Sequence, residues 1–71
     1  MEPYKQRMIN EFNELKERTD KLENMLRKYY SGNLEFVPSC PIYLLEDQID
    51  MMRGYLNILS IRAEIENIKL K

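Results

Sequence analysis

Residues 44–65, LLEDQIDMMRGYLNILSIRAEI, hold two apolar lines that run side by side. The first is Leu45, Ile49, Met52, Leu56, Leu59 and Ala63; the second is Leu44, Gln48, Met51, Tyr55, Ile58, Arg62 and Ile65. Each line steps by alternating fours and threes, the spacing that keeps side chains on one face of an α-helix. One neighbouring helix can cover only one of them. The combined apolar arc is too wide for a two-helix monomer, so the first line is expected to meet a helix of the same chain and the second another protomer.

The intrachain partner lies upstream. Pro3 suits a first helical position, where its missing N–H would lack a partner in any case. From there Met8, Phe12, Leu15, Thr19, Leu22, Leu26 and Tyr29 form a heptad seam with one polar interruption at Thr19, widened by Ile9 and Met25. Met8, Met25, Met51 and Met52 all fall on apolar lines and are read as core. Outside the seam, Glu14 precedes Arg18, Glu17 precedes Lys21 and Glu23 precedes Arg27 at four residues, the favourable order for surface pairs.

Ser31-Gly32-Asn33 should end this helix near residue 30, because Gly32 takes the left-handed conformation that closes a last turn. Residues 31–40 form an elbow whose Leu34, Phe36 and Val37 are expected to close over the open end of the hairpin. The second helix is expected from about 41, capped by Ser39 or Cys40, to about 69. Two matched helices of about 28 residues span roughly 42 Å each at 1.5 Å per residue. The expected fold is thus all-α: one domain over residues 1–71, an antiparallel two-helix hairpin assembling into a homo-oligomeric helical bundle.

Composition supports self-association. A chain of 71 residues buries only about 60% of its unfolded surface, so small domains commonly rely on disulfides, a metal or oligomerisation. The single cysteine, Cys40, cannot form an intrachain disulfide, and no histidine is present to join it as a zinc ligand. A lone thiol, with neither a signal-like segment nor a long apolar run, gives the expectation of a cytoplasmic protein without a membrane partner. Eleven Lys and Arg against twelve Asp and Glu provide no global positive field, so DNA and RNA are not expected as partners. Without histidine or a glycine-rich phosphate loop, neither hydrolytic nor phosphoryl-transfer machinery can be assembled, and neither an enzyme nor a cofactor is expected.

The candidate binding residues sit among these stripes. Gln48, Tyr55 and Arg62 recur at seven-residue intervals on one face: a tyrosine stacks on a nucleobase, a guanidinium forks onto a phosphate and an amide reads a base edge. The same trio also suits an ordinary oligomer interface, and spacing alone favours that reading. Lys21 is placed to pair with Glu17, and Arg7 with Glu11, as surface residues. Tyr4 either covers the apolar end or turns onto a ligand held between protomers. Tyr29 and Tyr30, beside Arg27 and Lys28, are most simply packing at the helix end.

Arg7-Met8-Ile9-Asn10-Glu11, Leu15, Lys21-Leu22-Glu23, Cys40-Pro41, residues 44–49, Met51 or Met52, residues 55–59 and residues 62–65 together resemble a family of small helical-hairpin proteins from crAss-like and other phages and prophages. The resemblance spans most of the chain, although no single motif in it carries a chemical function. More distantly, the hairpin resembles the phage anti-CBASS sponges, oligomers that sequester cyclic oligonucleotide immune signals without cleaving them. Their second helix carries an aromatic residue and, further on, an arginine, positions matched here by Tyr55 and Arg62. They also carry a Tyr-His segment ahead of the first helix, where this sequence reads Met1-Glu2-Pro3-Tyr4, with Tyr4 as the one aromatic residue that could stand in for it.

The resemblance implies a sponge for a cyclic di- or trinucleotide acting in the host cytoplasm against antiphage defence, with Tyr55 and Arg62 as ligand contacts; the chemistry of the residues themselves adds Tyr4, Arg7, Lys21 and Gln48 as candidates. The alternative is an oligomeric scaffold that binds a host or phage protein and no small molecule.

Overall fold

A computed structural model describes residues 3–70. It is all-α and, among those residues, without strands: α1 spans Pro3–Ser31 and α2 spans Ile42–Ile65. The two helices pack along each other in a rod of 44 × 18 × 18 Å. Neither helix is long and apolar enough to cross a membrane.

The core follows the two expected seams. Met8, Leu15, Thr19 and Leu26 of α1 are buried against Ile49, Leu59 and Ala63 of α2, while Phe12, Leu22, Leu45, Met52 and Leu56 are half-buried beside them. Tyr29 departs from its expected place in the seam. It is exposed and meets Tyr30 edge to face, with ring centroids 5.3 Å apart.

Thr19 is tolerated in the seam because its hydroxyl donates 2.7 Å to the carbonyl of Leu15, one turn earlier. No buried side-chain polar atom is left without a partner among the described residues. Since that carbonyl also belongs to the helix ladder, removing the hydroxyl orphans nothing. Thr19→Val is therefore expected to change stability by no more than about 1 kcal/mol, as a urea titration followed by circular dichroism would show.

Both helices end in the same hydrogen-bonded closure. At the end of α1, Gly32 is left-handed (φ 79), its N–H donating to Tyr29 and that of Asn33 donating to Lys28. At the end of α2, Asn67 plays the glycine's part (φ 56), with Asn67 N–H donating to Glu64 and Ile68 N–H to Ala63. This second closure shortens α2 relative to the expected end near residue 69. It turns Ile68 back into a cluster with Met8 and Ala63, against which Ile9 and Leu70 also pack. The apolar pattern past Ile65 therefore belongs to a capping turn.

Two local expectations about the elbow are corrected. Pro41 itself is the N-cap, with extended backbone (ψ 143), and no side chain caps the helix, so neither Ser39 nor Cys40 has that role. Phe36 and Val37 stay exposed, Val37 at 91%, and only Leu34 and Pro38 are half-buried. The elbow still borders both helices, since Phe36, Pro38, Ser39 and Cys40 line a shallow pocket with Met25 and Leu45, but it buries little of its own apolar surface.

Candidate functional site

The hairpin places its two exposed flanks on one side. The Tyr55 hydroxyl donates to the Glu11 carboxylate, which ties the edge of the second α2 line to the edge of the α1 seam. This contact replaces the expected Arg7–Glu11 pair, which is not formed among the described residues. Arg7 lies one turn before Glu11 and Tyr4 two turns before it; Arg62 lies two turns after Tyr55. Because the helices are antiparallel, all three displacements point toward the end of the rod where Met8 packs on Ala63. Tyr4, Arg7, Tyr55 and Arg62 thus flank the same end on the same side.

Neither Arg7 nor Arg62 enters an ion pair among the described residues, whereas Arg27 and Arg53 both do. The cluster therefore carries two guanidiniums outside any ion pair among the described residues, while the Glu11 carboxylate is engaged by a tyrosine and Glu64 and Glu66 follow Arg62 by two and four residues. Tyr4 and Tyr55 are 44% and 40% exposed, so both side chains can be reached from solvent. The arrangement has the elements for holding an organic anion: aromatic faces for a flat group and forked donors for phosphate oxygens.

Gln48 and Lys21 do not join this cluster within one hairpin. Gln48 lies fourteen residues before Arg62, roughly 21 Å along the helix at 1.5 Å per residue, and its amide donates to the sulfur of Met52 at 3.8 Å. Lys21 points into solvent on α1, with its ammonium 3.9 Å from Glu17. Both the amide and the ammonium stay outside because seven-residue periodicity preserves a face but says nothing about height along the rod.

A second feature was not anticipated. An open groove of about 410 Å³ lies between the helices nearer the elbow, lined by Glu23, Leu26, Arg27, Tyr30, Glu46, Ile49, Asp50 and Arg53. Arg53 crosses it to Glu23 at 2.9 Å and also approaches Asp50 at 3.9 Å. Three carboxylates against two engaged guanidiniums make it a poor place for an anion despite its size. Glu23 was legible only as the surface partner of Arg27, because a contact thirty residues distant leaves no local sequence signal.

Among the described residues no group of three or more Cys, Asp or Glu side chains is arranged to hold a metal ion. The Cys40 thiol is exposed and free.

Across α2, the second line is left uncovered. Leu44, Met51, Tyr55, Ile58 and Ile65 are all exposed, Met51 and Ile65 by about three quarters (74% and 75%). Exposed apolar side chains lined up along one helix face make that face a candidate interaction surface.

No curated protein and no solved structure matches the chain. A sequence model of one family, Sequestin, matches residues 2–65, which takes in α1, the elbow and all of α2. The chain belongs to the Sequestin family.

Proposed function

We propose that this protein is a stoichiometric sponge: it binds a small nucleotide signal between protomers of a homo-oligomer and lowers its free concentration without chemically altering it. The observation that carries the reading is the family match over residues 2–65, since the name Sequestin denotes a sequestering protein. The side-chain chemistry agrees with it. The chain offers donors and aromatic faces at the terminal end but no histidine, and its one cysteine lies on the elbow at the opposite end. Binding without turnover is what such a set of groups can accomplish.

In this reading Tyr55 and Tyr4 stack on the base, while Arg62 and Arg7 take phosphate oxygens, with Lys21 and Gln48 reaching the ligand only from other subunits. The ligand class is a cyclic di- or trinucleotide, whose repeated phosphates suit a symmetric oligomer that presents each arginine more than once. The biological setting is an infected bacterial cytoplasm, where a phage gains by withholding an immune signal from its receptor.

The test is equilibrium dialysis against a panel of cyclic di- and trinucleotides, followed by heat denaturation of the complex and mass analysis of what is released. Saturable uptake with release of intact nucleotide is expected. Release of a cleaved product would make the protein an enzyme, and no uptake across the panel would refute the assigned ligand class.

The uncovered α2 line supports one other reading, a scaffold that docks a host or phage protein and binds no nucleotide. Arg62→Ala separates the two. It removes ligand uptake and leaves assembly in place if the protein is a sponge, and affects assembly or nothing if it is a scaffold.

A further inference from the structure

The exposed face of α2 contains a glycine that the hairpin does not require. Gly54 sits in mid-helix, has an ordinary helical backbone, and a Cβ added to it would meet nothing within 4 Å. Glycine there costs the helix about 1 kcal/mol relative to alanine, and no contact within the hairpin offsets that cost. It lies three residues after Met51 and four before Ile58, at the centre of the uncovered strip. A bare helix surface at that point lets another backbone or a large side chain approach closely.

The residues on either side of it are self-complementary when the helix is reversed against itself. With position i set opposite position 109 − i, Leu44 faces Ile65, Met51 faces Ile58, Asp47 faces Arg62 and Gly54 faces Tyr55. Apolar residues meet apolar ones, the acid meets the base, and the largest side chain meets the residue with none. A parallel arrangement would instead set Asp47 against Asp47 and Arg62 against Arg62.

We infer that two copies of this chain join through an antiparallel α2–α2 seam centred between Gly54 and Tyr55, with Gly54 of each copy giving room to the edge of the other's Tyr55 ring while the outer part of that ring stays open to the ligand. This rests on the homo-oligomeric reading above and specifies its interface. The exposed side chains would withdraw roughly 600 Å² per copy, or about 1,200 Å² for the pair, the lower end of what stable assemblies bury. The two-fold relation makes the contact closed and isologous.

The seam also completes the candidate site. It brings Gln48 of the second copy alongside Ile61 and Arg62, so an amide that one hairpin holds some 21 Å away along its own helix joins the terminal cluster from the other protomer. Each dimer then has two equivalent sites, one at each end of the seam. Asp47 of the second copy holds Arg62 in place until a phosphate competes for it.

Two proteins test this, Met51→Cys and Ile58→Cys, each made in a Cys40→Ser background and one carrying a mass tag. They are mixed, oxidised gently and resolved by mass, with sedimentation velocity on the untreated mixture. The seam places residues 51 and 58 of different copies opposite each other. Residues 51 and 51 would lie roughly 10 Å apart along the axis, beyond the span of a disulfide. Unlike pairs are therefore expected to dominate the cross-linked product.

Like pairs would overturn the antiparallel register, and a sedimenting dimer without cross-links would place the interface elsewhere. Sedimentation as a monomer would refute the oligomeric reading itself. As a second check, Gly54→Leu should retain its helical circular dichroism yet lose at least tenfold in dimer affinity; unchanged affinity would exclude the seam.

Discussion

Leu59→Ala is expected to be the most destabilising single truncation in the hairpin. Among the described residues Leu59 is the one large side chain with no exposed surface, and deleting its branched end leaves a void between α1 and α2 that rigid helices cannot collapse around. Such truncations cost about 2–5 kcal/mol. A domain of this length has a total stability of roughly 4–10 kcal/mol, so the variant should lose a large part of it. Urea unfolding followed at 222 nm should show the midpoint falling steeply while the slope stays the same. Ile58→Ala, one residue away but 53% exposed, should leave the hairpin's own stability within about 0.5 kcal/mol and weaken only assembly. Equal effects at the two positions would show that the division into an inner and an outer line is wrong.

Arg62→Ala should have the largest effect on ligand retention. A charge-assisted hydrogen bond contributes about 1.5–3 kcal/mol, so losing the guanidinium should weaken nucleotide affinity by about 10- to 150-fold as measured by calorimetry. Arg62→Lys restores the charge but not the fork and should recover only part of the loss. Dimer affinity should change far less, because an ion pair at the edge of an interface is worth about 1 kcal/mol or less. A drop in assembly equal to the drop in ligand affinity would assign Arg62 to the interface alone.

The two seams were legible in the sequence because helix periodicity is a local property. Leu15, Leu26, Ile49, Leu59 and Ala63 could be assigned to the core from spacing alone, and Gly32 marked its helix end through the left-handed conformation. Asn67 performed the same closure unnoticed, since the apolar Ile68 and Leu70 extend the helical pattern beyond the point where the backbone turns. Sequence also assigned Arg7 to Glu11, the nearest opposite charge. The folded chain gives Glu11 to Tyr55, a residue forty-four positions away.

The candidate site was legible as a set of residue types and less so as a set of neighbours. Periodicity puts Gln48, Tyr55 and Arg62 on one face, but their heights along a 44 Å rod decide which can touch the same small molecule. Tyr4 and Arg7 join Tyr55 and Arg62 only because the hairpin is antiparallel and in a particular register. Gly54, which carries no side chain to classify, gained a meaning only when the structure showed open space around it.

The most direct test of the central claim is native mass spectrometry of the purified protein, first alone and then with cyclic di- and trinucleotides. The account predicts a homo-oligomer that takes up nucleotide at a fixed ratio per assembly and yields it intact on dissociation. An oligomer that retains no nucleotide would contradict the sponge, and a stable monomer would contradict the assembly on which the binding site depends.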